Sequence, residues 1–407
     1  MNFFKMAWRN IWRNKRRSLI TMASIVFSML FALIMRSMQE GSYGLMIDSV
    51  VQSYTGYIQI SGKGFRADKT LEKSMAYTDE LKESIEKHPN VKLLVPRLES
   101  FALASTGKHS KGVMLTGIEP QKEDSLTRLS KRVRKGAYLT DSTKGVLVSS
   151  RLAKFLNVKV NDTLILMGQG YHGISASGLF PVVGIVELPV MDLDNIMVYI
   201  PITEAQRFFE APGLVTSLAI DLKSPKKIDR TQRELKQILS DEAGVSVERW
   251  DEIMTELMQM IESDRVSGKA MLIILYVIIG FGVFGTLLMM STERRREFGM
   301  MMAVGMRRTK IGLMLAIEIL MLCFSSIVAG LAISLPTLYI MHFHPIRLTG
   351  DLALSMESYG WEPIMPFSLD PSFIIRQTLV VMVIVLIAGI VPVVSTLRLK
   401  LMKAIKS

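Results

Sequence analysis

One cysteine, Cys323, occurs in 407 residues, and it lies inside an apolar run. No intrachain disulfide can form, so any domain outside a membrane must be held by its own hydrophobic core. Histidine is also scarce. His342 and His344 form an H-x-H pair, but nothing in the sequence supplies the further ligands a metal site needs. No G-x-x-x-x-G-K-[ST] is present: Gly107-Lys108 runs into His109 and Gly268-Lys269 into Ala270, so these residues cannot build a P-loop. A nucleophile elbow, a zinc-binding helix and a cysteine cluster are missing too. These absences leave no catalytic, cofactor-binding or metal-binding residue to nominate. Acidic residues are outnumbered, 37 against 49 Lys and Arg, and residues 1–18 and 398–407 contain none. Such an excess would suit nucleic acid, but here it flanks apolar runs, the pattern that orients membrane helices.

Four runs, 19–35, 270–290, 311–340 and 373–394, are apolar. Each is read as a helix crossing a ~30 Å hydrocarbon core. The expected fold is an α-helical membrane protein with four transmembrane helices and a large α+β extracytoplasmic domain between helices 1 and 2. Residues 1–18 read as an interfacial elbow helix, with Phe4, Ala7, Trp8, Ile11 and Trp12 on one face. Residues 19–52 are the first span and its outer extension. No A-x-A site follows in 36–42, so the run is read as a retained helix rather than a signal peptide. Residues 247–291 form a stalk and the second span, 292–310 a cytoplasmic loop and 311–341 the third span. An outer loop (342–371), the fourth span (372–397) and a basic tail (398–407) complete the chain. Both termini are expected inside, because the basic loops are.

The insertion 53–246 alternates short strands and helices without a strict βαβ repeat, which argues α+β, in two subdomains. Strands are expected at 54–60, 91–105 with an interruption near Pro96, 112–118, 145–149, 163–167, 180–186, 196–200 and 214–222. Helices are expected at 71–88, 150–156, 203–209, 227–239 and 247–266. The 29 methionines read first as core filling.

The loop STERRREFGMMMAVGMRRTK, 291–310, is basic and amphipathic, with Phe298, Met301, Met302 and Gly305 at helical spacing. Glu318 in the third span needs a partner, and Arg307 or Arg308 is expected to supply it. An E-x-x-R/R-E-F/I-G-x-x-x-A-x-G-x-x-R-R pattern between two spans resembles the coupling helix of the FtsX/MacB/LolC-LolE permeases, the mechanotransmission-type ABC transporters. The residues carrying it are Arg296, Glu297, Phe298, Gly299, Ala303, Gly305, Arg307 and Arg308, and Met302 is counted with them in the ATPase-coupling helix that the resemblance implies. WRNIWRNKRR near the N-terminus is similar to the same permeases. So are GVLVSSRLAKFLNVKVNDTLIL, FPVVGIV and YIPITEAQRFF in the external domain.

The resemblance implies a bacterial inner-membrane permease with its large domain in the periplasm. It implies two copies of a separate ATPase that uses ATP and Mg, and a second permease, identical or paralogous. A start at the elbow helix favours the LolC/LolE arrangement, with a lipoprotein as cargo and a periplasmic lipoprotein chaperone as receiver. A hairpin at 168–179, with Tyr171 and His172, stands where that group docks its chaperone; a plain hairpin is the other reading. Met35, Met38 and Leu45 on the first helix, and Met258, Ile261 and Leu272 leading into the second, are candidate lining of a cavity open to the outer leaflet. A MacB-like exporter of peptides or drugs and an FtsX-like signalling protein are the alternatives.

Overall fold

The computed structural model describes residues 3–13, 15–239, 244–358 and 363–399. Lys400, Lys403 and Lys406 of the basic tail lie outside the described residues. The chain divides into a helical unit (Met1–Leu45, Met260–Arg347 and Ile364–Ser407) and an α/β unit (Met46–Gln259 and Leu348–Pro363).

Four helices are long and apolar enough to cross a membrane. The first span is Lys15–Val50, the second Thr255–Glu293, the third Arg308–Phe343 and the fourth Pro371–Leu397. Their inward stripe, including Ile25, Ile279, Val283, Leu287, Leu315, Ile319, Leu322 and Val381, forms one cluster, and Cys323 is buried in it. Phe27, Ile274, Phe281, Phe324, Ile375 and Ile387 are among the apolar side chains left outside, as a lipid-facing surface requires. The elbow helix is Phe3–Arg13. Ala7 and Ile11 are buried while Trp8 and Trp12 are about half exposed, so the tryptophans lie off the face expected for them. Gly41 lies inside the first span and lets the backbone at Pro366 and Phe367 approach, where a Cβ would clash.

The α/β unit is built on β1 (Ile58–Gly62), β2 (Met75–Ala76), β3 (Val91–Ser105), β4 (Ser110–Ile118), β5 (Val133–Gly136) and β6 (Val146–Ser149). It continues with β7 (Thr163–Gln169), β8 (Ser175–Val186), β9 (Met197–Pro201), β10 (Leu214–Val215), β11 (Ser217–Leu222) and β12 (Val245–Arg249). The pairings β3–β4, β4–β9, β9–β6, β6–β8, β8–β7 and β7–β3 return to their start, so these strands close a barrel. Alternation fills it: Ala102, Ala104, Val113, Leu115, Leu164, Leu166, Val182 and Val198 are buried in one cluster, while Phe101, Leu103, Met167 and Leu179 face out. The other end of β3 joins β11, β1 and β12 over a second core that includes Ile58, Ile60, Leu94, Leu218, Ile220 and Leu235. Two subdomains thus share one 15-residue strand.

Pro96 does not break β3. It pairs with Leu218 and sits one residue before the β4 ladder begins at Arg97, where a missing N–H is tolerated. Three expectations are corrected. Residues 71–88 are not one helix: a 3-10 turn and β2 precede a helix at Asp79–Glu86, capped by Thr78. The first strand starts at Ile58 because Val51–Thr55 is a π-helical turn. Residues 247–249 belong to β12 rather than to a stalk helix, since β1 offers an open edge that pairs with them. The long helix starts at Thr255 and continues unbroken through Gly268.

Candidate coupling site

The loop between the second and third spans folds as a short helix, Arg295–Ala303. Arg294 occupies its N-cap, and Gly305 turns the chain back with φ +98, a conformation that favours glycine. Arg307 is extended and starts the third span. Phe298 is fully buried and packs with Ile311 and Met314 of the third span, with Met6, Met301, Met302 and Met306 around them. The Phe298 face therefore turns inward, onto the chain's own third span. The outward surface is different: Val304 is 91% exposed, Met300 56%, and Arg296, Ala303, Gly305, Arg307 and Arg308 are exposed beside them. A shallow groove of about 510 Å³ runs between Met300, Val304, Gly305, Met306, Arg307 and Lys310.

Charges fix this helix from within. Arg294 Nη1 donates to both carboxylate oxygens of Glu318, at 2.7 and 2.6 Å. Both side chains are almost wholly buried. This corrects the expected pairing with Arg307 or Arg308, which begin the third span and are exposed. Glu318 lies ten residues, roughly 15 Å, further along the helix from Arg308. The guanidinium of Arg294 also lies over the Phe298 ring at 5.5 Å and approaches Glu297 at 3.4 Å. Glu297 in turn accepts from Arg13 of the elbow helix at 2.5 Å. Sequence reasoning missed Arg13, Arg294, Met300 and Val304, because no spacing along the chain ties 294 to 318 or 13 to 297.

The candidate cavity residues differ in exposure. Ile261 and Leu272 are buried, Met38 packs against a cluster of Met29, Leu33 and Phe367, and Met35, Leu45 and Met258 are half-buried. Between the first and second spans stands a polar clasp. Tyr43 donates to Asp264 at 2.6 Å, and Gln39 Nε2 lies 3.3 Å from both the carbonyl and the carboxylate of Asp264. Gly268 gives Gln39 its room, since a Cβ there would strike it. Tyr171 and His172 form the tip of the β7–β8 hairpin. The strands take up most of 168–179, leaving a tight turn in which Tyr171 N–H donates to the Phe209 carbonyl at 2.8 Å. Tyr171 rests on the barrel core, while His172 is exposed, 3.6 Å from Glu72.

A second charged hub lies in the α/β unit. Arg97 grips Glu123 through two hydrogen bonds of 2.8 and 2.7 Å and also donates to the Tyr54 carbonyl. Burial works against the Arg97 charge, but Glu123 and then Glu99 more than offset it and push its pKa up. The Tyr54 hydroxyl donates to Glu99 at 2.8 Å, so the π-turn at Val51–Thr55 is tied into the domain core.

Known proteins share this architecture. Residues 18–238 match the MacB-like periplasmic core domain and residues 269–401 the FtsX-like permease C-terminal region. The chain belongs to the MacB/FtsX-like family of ABC transporter permeases. The macrolide export ATP-binding/permease protein MacB of Campylobacter jejuni is 21% identical over 372 residues, 88% of this chain and 56% of that protein. The lipoprotein-releasing system transmembrane protein LolE of Haemophilus influenzae is 23% identical over 248 residues, 59% of this chain and 58% of that one. The chain thus spans somewhat over half the length of these relatives. The periplasmic region of MacB from Actinobacillus actinomycetemcomitans aligns at 17% identity over 53% of this chain and 98% of that one, with a TM-score of 0.36, too loose a likeness to add weight.

Proposed function

We propose that the chain is the permease part of an ABC transporter and is driven by an ATP-binding unit outside these 407 residues. The short helix Arg295–Ala303 docks that unit on the cytoplasmic side, and the α/β unit works in the periplasm of a bacterial inner membrane. The observation that carries this reading is the exposed Met300–Val304 surface, ringed by Arg296, Arg307, Arg308 and Lys310 and braced from behind by buried charge. An amphipathic knob held rigid from its own side is suited to receiving a push. Two ATPases and a second permease, identical or paralogous, complete the assembly. ATP and Mg serve the ATPase, not this chain.

For the cargo, the first reading is an acylated lipoprotein taken from the outer leaflet and handed to a periplasmic chaperone, with His172 at the hairpin tip as a contact. Exposing a triacyl anchor of roughly 45 CH₂ to water would cost on the order of 36 kcal/mol, so the chains must pass from lipid to apolar protein surface. Met35, Met38 and Leu45 would have to open toward such a cargo from their present half-buried state. The second reading, MacB-like export of peptides or drugs, is favoured by the longer alignment, 88% of this chain against 59%.

The deciding experiment is purification of the complex from its native membrane after cross-linking from Val304→Cys. An ATPase joined to that position, with acylated protein in the same preparation, supports lipoprotein release. An ATPase with a periplasmic adaptor supports export. Absence of any ATPase cross-link overturns the coupling role.

A further inference from the structure

We propose that Arg294 is a positioning residue for coupling, fixing the direction in which force enters the third span. The inference rests on the permease reading above. One guanidinium makes three diverging contacts: Nη1 holds Glu318, Nε faces Glu297, and the plane lies over Phe298. Glu318 is on the third span and Glu297 and Phe298 are on the short helix, so a single side chain welds two elements at a defined angle. Glu297 carries the weld on to Arg13 of the elbow helix. A push on Met300 and Val304 then moves elbow, short helix and third span as one body rather than flexing the loop. Gly305, with no Cβ and φ +98, is a pliant link between short helix and third span, which is where such a loop would otherwise yield.

Arginine is required by this geometry. A lysine keeps the charge but offers one point donor in place of a planar group with separated donors and a stacking face. Three variants separate direction from simple charge balance: Arg294→Lys, Arg294→Met, and Arg294→Met with Glu318→Leu. The last leaves no unpaired buried charge, so it guards against misfolding.

Hydrogen exchange of residues 295–303 is measured first, in the detergent-purified full chain, with the barrel strands as a folding control. In all three variants the short helix should exchange at least tenfold faster while the barrel is unchanged. The second measurement uses the complex with its co-purified ATPase. ATP hydrolysis should stay within twofold of wild type, and the change that ATP and vanadate induce in exchange at residues 308–318 should vanish. Wild-type exchange and an intact ATP response in the double variant would overturn the proposal, leaving the pair a neutral filler. If no ATPase co-purifies, the permease reading fails, and the first measurement still decides whether Arg294 holds the helix.

Discussion

Two buried charged groups of the α/β unit are held in different ways, Glu123 by an arginine and Asp194 by backbone amides. Arg97 and Glu123 are each about 1% exposed. Removing one partner should be far worse than removing both, because it strands a charge in an apolar core. Glu123→Leu alone should lower unfolding stability by about 3–5 kcal/mol, and Arg97→Met with Glu123→Leu should restore most of it, as read by urea unfolding of the full chain. Asp194 is the other kind. Its carboxylate accepts from the backbone N–H groups of Leu188 at 2.9 Å, Arg151 at 3.1 Å and Ser150 at 3.2 Å. Burial nevertheless raises its pKa above the usual carboxylate value, the amides opposing that rise. The folded state then binds the proton more readily than the unfolded chain. Its contribution is greatest in acid and declines as pH rises from the unfolded value of about 3.9 through the raised folded one. Asp194→Asn should flatten that part of the stability–pH curve, and an unchanged slope would assign the slope to other groups.

The elements show which expectations hold and why others do not. The helix at Ser150–Leu156 and the strands at Val146–Ser149 and Ser110–Ile118 are legible from short-range pattern, because alternation and turn residues act locally. The end of the stalk was not legible. Val245–Arg249 is strand because β1 is free to pair with it, a contact almost 190 residues away in sequence. The same holds at the candidate site. Its motif residues lie on and just after the short helix, yet which face of that helix turns inward depends on Ile311 and Met314, outside the motif.

Two element-scale outcomes follow from the glycines. Gly268→Leu should drive Gln39 away from Asp264 and lower stability by about 1–3 kcal/mol, with hydrogen exchange rising at the outer ends of the first two spans. Combined replacement Glu297→Arg and Gly305→Arg should leave the spans inserted and ATP hydrolysis running while transport in reconstituted vesicles is lost. Retained transport would remove the short helix from the coupling role.

At the scale of the whole molecule, the proposed topology puts Ser110 outside the membrane and Thr309 inside. Ser110 and Thr309 are exposed, and Cys323 is buried and the sequence's one native thiol. In a Cys323→Ser background, Ser110→Cys should label with a membrane-impermeant maleimide from outside the inner membrane, in spheroplasts. Thr309→Cys should label only after the membrane is opened. The opposite result would invert the topology and place the short helix out of reach of any ATPase.

Sequence alone determined the number and length of the apolar spans, the absence of a P-loop in these residues, and the basic amphipathic loop between the second and third spans. Those properties depend on composition and on neighbours a few positions apart, which a linear chain displays directly. Closure of the β3–β4–β9–β6–β8–β7 barrel, the union of Arg294 with Glu318, and the clasp of Tyr43 on Asp264 were decided only in the folded chain. Each joins groups distant in sequence, and such partners are selected by burial and geometry that exist only after the elements pack.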